Sequence, residues 1–216
     1  MSGSFIKVGL ETEDGFMKKN GKAAIIHSFK KILSQKTMDK ITVKEICEHS
    51  NVNRQTFYNH FEDILDVFIT VFREEVSAEI AQNRTVGTWQ SGFLATMGYL
   101  KKNAKQIFHV YHSSYWPQIH LYVSDFSKAL LDGVIEECVV SMDVELAHRD
   151  RNFIIQFYRY LFEGFIIDWI KEGMEEEPNL LLERLLIMIT GSIPRSIESF
   201  QKASLKPNHH WNESVT

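Results

Sequence analysis

The stretch from Thr42 to Phe61, TVKEICEHSNVNRQTFYNHF, most limits what this chain can become. It holds two short helical patterns separated by three residues. Thr42 and Glu45 form the capping pattern T-x-x-E, which starts a helix that runs to Glu48 or His49. Ser50, Asn51 and Val52 form the turn. Asn51 stands where the chain needs a left-handed residue, a conformation Asn tolerates better than most. Asn53 then caps a third short helix, its side-chain oxygen accepting an amide of the first turn. Ile41, Val43, Ile46, Val52, Phe57 and Phe61 supply the apolar set of a small three-helix core. With Phe57 inward, Arg54, Gln55, Thr56, Tyr58 and Asn59 fall on or near the outer surface.

A solvated helix is usually built from Lys and Glu, which are good helix formers. Arg, Gln, Thr and Asn on one short helix instead suit a surface that reads another polar surface. In a DNA major groove Arg bonds guanine, Asn or Gln bonds adenine, and Thr meets a thymine methyl or a phosphate. The helix before it crosses the backbone, which puts Thr42 and Lys44 where phosphates lie. The plain alternative is a helical module whose polar helix is merely solvated. Charge separates the two. Between Lys18 and His60 there are nine Lys/Arg against three Asp/Glu, so +6 there and −10 elsewhere make up the overall −4. A basic module on an acidic body implies contact with a polyanion through the module alone.

The rest of the chain reads as helix. A first amphipathic helix runs from Lys19 through Ala23, Ile26, Phe29, Ile32 and Leu33 to near Gln35. Glu62 and Asp63 open a fourth, where acidic residues complement the helix dipole. Further spans are expected at 88–102, 104–112, 117–141, 146–174 and 179–202. Pro117 and Pro178 stand near two starts, and Gly173 is a terminator. No strand-like alternation occurs. The expected fold is all-α: an N-terminal three-helix helix-turn-helix DNA-binding domain followed by an all-helical ligand-binding and dimerisation domain. The boundaries are a flexible tail at 1–17, the helix-turn-helix domain at 18–65, the helical domain at 66–203 and a tail at 204–216. Charges at Asp168, Lys171, Glu183 and Arg184 interrupt the longest apolar stretches, so no membrane span is expected. No leader pattern precedes the module. Cys47 and Cys138 stand far apart with no CxxC, which fits reduced thiols in a cytoplasm. The sequons at Asn83 and Asn212 then carry no meaning.

The order ITVKEICEHSNVNRQTFYNHFEDILDVF resembles the N-terminal domain of the TetR family of bacterial one-component transcription regulators. That family's pattern is a helix-turn-helix, then Thr-Phe-Tyr, one further residue, His or Tyr, and Phe. Thr56, Phe57, Tyr58, His60 and Phe61 all match it. The resemblance implies that Thr42, Thr56, Tyr58 and His60 hold phosphates, with Arg54, Gln55 and Asn59 nearest the bases. Lys44 and Asn53 complete the candidate DNA-binding set. Ile64 departs from the family's usual Lys, and Asn51 replaces its usual turn Gly. The C-terminal region resembles the Firmicutes-type subgroup associated with dihydroxyacetone kinase regulators.

Helices 153–174 and 179–200 carry more apolar surface than one chain covers, and the resemblance implies a homodimer through the last two helices. A monomer core is the alternative. Gly164 allows close helix approach under either reading, and Leu185 is taken as an interface residue. Residues 99–165 mix aromatic walls with polar anchors, as a small-molecule pocket does. The candidates are Tyr99, Phe108, His109, His112, Trp116, Phe126, Phe157 and Glu163, with the 104–112 segment touching the fourth helix as the relay. His109 and His112, three apart on a helix, with His120, are the weak metal candidates. His209 and His210 are expected to be solvated. No cofactor is expected. With no P-loop, GxSxG, HExxH or paired cysteines, the chain does not read as an enzyme. The expectation is a homodimeric regulator, a repressor, that binds a double-stranded DNA operator under control of an unknown small-molecule or metal effector. Zinc sensing and control by a protein partner are the alternatives.

Overall fold

The structure, a computed structural model, describes residues 13–77 and 85–204, with side chains over 21–76 and 85–204. The expected tails, the sequon residues Asn83 and Asn212, and His209 and His210 lie outside the described residues, except that α1 already begins at Glu13 and Ser204 closes the last helix.

Among the described residues there are ten helices and no strand. The first part holds α1 (Glu13–Leu33), a single 3-10 turn (Met38–Lys40), α2 (Val43–Ser50), α3 (Arg54–Tyr58) and α4 (Ile64–Phe72). A π-helical turn, Arg73–Ser77, prolongs α4. The second part holds α5 (Trp89–Lys102), α6 (Ala104–Tyr111), α7 (Trp116–Met142), α8 (His148–Lys171), α9 (Pro178–Ile189) and α10 (Ser192–Ser204).

The helix ends have local causes. Asp63 caps α4 by accepting the Asp66 amide at 2.8 Å, and the Asp66 carboxylate reaches back to the Glu62 amide at 3.0 Å. Asp143, at φ 52°, ends α7. Lys171 ends α8, after which Gly173 (φ 85°) and Met174 (φ 57°) turn left-handed, and the Met174 amide bonds the Trp169 carbonyl at 2.8 Å. One expected element divides: Gly191, at φ 71°, splits the 179–202 span into α9 and α10. A left-handed residue cannot continue a right-handed helix, and glycine adopts it without penalty.

Three apolar clusters hold the molecule. The first is built on Ile25, Phe29, Met38, Ile46, Phe57 and Val67, and extends to Val110 and Ile119 of the second part. The second joins Phe93 and Met97 of α5 to Trp169, Leu181 and Leu185. The third joins Ile135 and Cys138 of α7 to Ile154, Ile155, Tyr158 and Ile197. Their main helix pairs are α7 with α8, α5 with α9, and α10 with α7 and α8. Leu185 is therefore not a surface residue. It is only 3% exposed, within the second cluster of its own chain, which corrects its assignment to a dimer seam. No helix among the described residues is long and apolar enough to cross a membrane.

Candidate functional site

The helix-turn-helix forms from the local pattern. Thr42 Oγ1 accepts the Glu45 amide at 3.2 Å. The returning half of the capping box is absent: the Glu45 carboxylate takes Lys36 Nζ at 2.6 Å instead. Asn51 is left-handed at φ 54°, and Asn53 Oδ1 accepts both the Thr56 amide at 2.7 Å and the Thr56 hydroxyl at 3.0 Å. Phe57 is fully buried, which is worth about 1.5–3 kcal/mol and fixes the rotation of α3. Arg54, Gln55, Tyr58 and Asn59 are consequently exposed, together with Thr42, Lys44 and Asn53. Gln55 Nε2 bonds Asn59 Oδ1 at 3.1 Å, so these two amides lie along one face.

Two expectations change here. Thr56 is half-buried, its hydroxyl engaged with Asn53. His60 turns Nε2 inward, buried and without a hydrogen-bond partner, where a Cβ added at Gly21 of α1 would meet it at 3.4 Å. The same added Cβ would meet Thr56 Cγ2 at 3.2 Å, so a glycine is what lets α1 lie against α3. Ile64, at the family's usual Lys position, is buried in the core. The basic balance is also partly spent inward, since Lys22 and Lys30 pair with Glu74 and Glu75 of the π turn at 2.6 and 2.7 Å.

A second feature lies in the interior. A cavity of about 230 Å³ opens between α4, α5, α6, α7 and α8. Of the expected ligand residues, Tyr99, Trp116, Phe126 and Glu163 line it. The other four do not. Phe108 packs in the second cluster, and Phe157 is 55% exposed. His109 gives its Nδ1–H to the Leu33 carbonyl at 2.6 Å, and His112 gives its own to the Phe108 carbonyl at 2.9 Å. Each ring nitrogen must be the donor there, because a carbonyl only accepts. His120 stacks on Trp116 at 5.5 Å. The three imidazoles thus serve different partners, and the described residues contain no group of three His, Cys, Asp or Glu able to hold a metal. The main neighbour of α6 is α1, and its Val110 also joins the cluster that holds Val67, Phe68 and Val71 of α4.

Sequence reasoning missed the contribution of α4, whose Phe68, Val71 and Phe72 form one wall, and it missed Arg159. Arg159 and Glu163 stand four apart in the apolar-rich stretch Phe153–Ile167, a spacing that was available as a signal. Tyr99 links the wall outward: its hydroxyl donates to Glu75 Oε2 at 3.1 Å, and the same carboxylate holds Lys30. Burial first, and Glu75 second, push the Tyr99 phenol well above its ordinary value, so it stays a donor.

Comparison with known proteins agrees with this geometry. Residues 22–71 match a family described as bacterial regulatory proteins of the tetR family, and residues 87–191 match a transcriptional regulator C-terminal region. A curated relative, the HTH-type dhaKLM operon transcriptional activator DhaS of Lactococcus lactis subsp. lactis (strain IL1403), is 26% identical over 137 residues, 62% of this chain and 70% of that protein. Two solved structures share the fold. The dihydroxyacetone kinase operon activator DhaS has a TM-score of 0.59 at 21% identity, covering 84% of this chain and 98% of that one. NalD of Pseudomonas aeruginosa, described as the secondary repressor of the MexAB-OprM multidrug efflux pump, has a TM-score of 0.59 at 13% identity, covering 83% and 98%. These proteins are regulators and not enzymes. With a tetR-type helix-turn-helix domain followed by the matching helical regulator domain, the chain belongs to the TetR family of DNA-binding transcription regulators.

Proposed function

We propose that this protein is a homodimeric repressor whose operator affinity is set by a small molecule bound in the cavity between α4 and the C-terminal helices. The observation that carries the reading is that α4, the helix following the DNA-reading module, forms one wall of that cavity. A molecule seated there touches the element whose position orients α2 and α3.

Each chain offers one reading helix, so a specific site needs two half-sites about 34–36 Å apart, or a multiple of that. Arg54, Gln55 and Asn59 are assigned to base edges, and Thr42, Lys44 and Tyr58 to phosphates. The half-buried Thr56 and His60 are left with the smaller share. The second copy is assigned to the outer face of α8 and the end of α9. Phe153, Phe157 and Tyr160 are exposed at helical spacing, and the adjacent Ile187 and Met188 are exposed near the end of α9. Gly164 lies on the same stripe with nothing within 4 Å of an added Cβ, which leaves room for a helix from a partner. Such apolar exposure is unusual for a monomer. The cavity favours a small-molecule effector over a protein partner, and the separated imidazoles give zinc no shell. Repression is the proposed sign, because a dimer seated on promoter DNA excludes polymerase without a further contact. The curated relative, described as an activator, is the case against which in vitro transcription tests that sign.

Gel shifts on genomic fragments test the DNA reading. A salt-sensitive specific band is expected. Arg54→Ala weakens the preferred operator by about 1–3 kcal/mol more than random DNA, while Lys44→Ala weakens both alike and lowers the salt slope by about 1. No specific band at any salt concentration overturns the proposal.

A further inference from the structure

One end of the cavity is polar. Arg159 and Glu163, a turn apart on α8, approach at 3.5 Å between Nη1 and Oε2. Ser124 of α7 donates its hydroxyl to Glu163 Oε2 at 3.3 Å and accepts from Arg159 Nη1. His120, one turn earlier on α7, brings Nε2 to 3.7 Å from the same Oε2. Glu163 is only 9% exposed, yet its Oε1 and the His120 Nε2 are both buried without a hydrogen-bond partner. Both residues, and Arg159, line the cavity. Buried polar atoms are normally partnered, so two orphans in one wall call for an explanation.

Resting on the effector reading above, we propose that the cavity takes a small, uncharged, largely aromatic molecule bearing one hydroxyl, held between Glu163 and His120. Size sets the first limit. A cavity of about 150 Å³ accepts benzene, so about 230 Å³ accommodates roughly ten non-hydrogen atoms. The walls set the second: Phe68, Phe72, Trp89, Phe93, Trp116 and Phe162 present flat apolar surface.

The polar end decides the head group. One arginine offsets one carboxylate, so the cluster is close to neutral overall. A ligand carboxylate would face Glu163, and a ligand ammonium would face Arg159, each losing hydration for a divided partner. A pure hydrocarbon would leave both orphans as they are. A hydroxyl donates its proton to Glu163 Oε1 and accepts from the Nε2–H tautomer of His120, because it is donor and acceptor at once.

Calorimetry and thermal shift on the full chain without DNA, using four probes of similar size, test this. The probes are para-propylphenol, propylbenzene, para-ethylbenzoate and para-ethylbenzylammonium. The phenol is expected to bind roughly tenfold tighter than propylbenzene, and both charged probes more weakly than either. His120→Phe, which keeps the stack on Trp116, and Glu163→Gln should each remove the phenol preference and keep hydrocarbon binding. The comparison among probes on the unaltered protein stands even if a variant fails to fold. Equal affinity for phenol and hydrocarbon, preference for a charged probe, or no binding at all overturns the proposal. Operator affinity is measured separately. A preserved phenol preference with unchanged operator affinity supports the site and counts against effector control instead.

Discussion

Asp39 shows how single side chains join the DNA-reading part to the body. It sits on the turn Met38–Lys40 and accepts both the hydroxyl and the amide of Ser114, between α6 and α7. The Ser114 hydroxyl, then its amide, holds the Asp39 carboxyl below its ordinary 3.8. A carboxyl depressed by folding stabilises the native state above its unfolded value, and that contribution is lost as pH falls through the folded value. The contact is thus intact at neutral pH and released only in acid. An NMR titration should place the Asp39 midpoint below 3.8, and Ser114→Ala should move it upward. A midpoint at or above 3.8 in the unaltered protein would refute the assignment.

At the scale of elements, α8 and α9 each have an inner and an outer face, and the two respond differently to charge. Leu185 points into the core formed with α5, whereas Ile187 is 83% exposed on the same helix. Ile187→Arg should leave monomer stability within about 0.5 kcal/mol, as surface changes do. It should shift the assembly from dimer to monomer in sedimentation. Leu185→Arg buries an unpaired charge and should cost on the order of 3–5 kcal/mol, visible as a loss of cooperative melting. A wild type that sediments as a monomer at micromolar concentration, or an Ile187→Arg variant that remains dimeric, removes this face from the interface.

Across the whole molecule, Tyr99, Glu75 and Lys30 connect the cavity wall to α1 through the π-helical turn. A π turn has a different register from the α-helix it extends and often sits at functional positions. Movement of Tyr99 by a bound molecule would therefore shift Glu75 and with it α1, which packs on α2 and α3. Coupling between such sites is typically about 1–3 kcal/mol. Glu75→Gln should reduce it by about 0.5–2 kcal/mol while operator and cavity each still bind. Operator affinity measured with and without the ligand, on wild type and variant, gives that difference. Identical coupling in both would place the relay elsewhere, with the Asp39–Ser114 contact next to be tried.

What the sequence alone determined is what depends on neighbours a few residues apart. The Thr42 cap, the left-handed Asn51, the Asn53 cap, the inward Phe57 and the outward Arg54, Gln55 and Asn59 all follow from local hydrogen bonding and a helical repeat. Even the break at Gly191 was written locally, in a glycine that an apolar run concealed. Tertiary structure decided the rest. His109 lies on α6 and His112 directly after its last residue, yet one reaches the end of α1 and the other its own turn, because α6 lies on α1. Leu185 and Ile187 look alike in an apolar stretch, and only the position of α5 makes one core and the other surface. The cavity could not be read from any single segment. It exists because five helices spread over about a hundred residues each turn one face to a common centre, and a helical repeat gives the width of a face without saying what it meets.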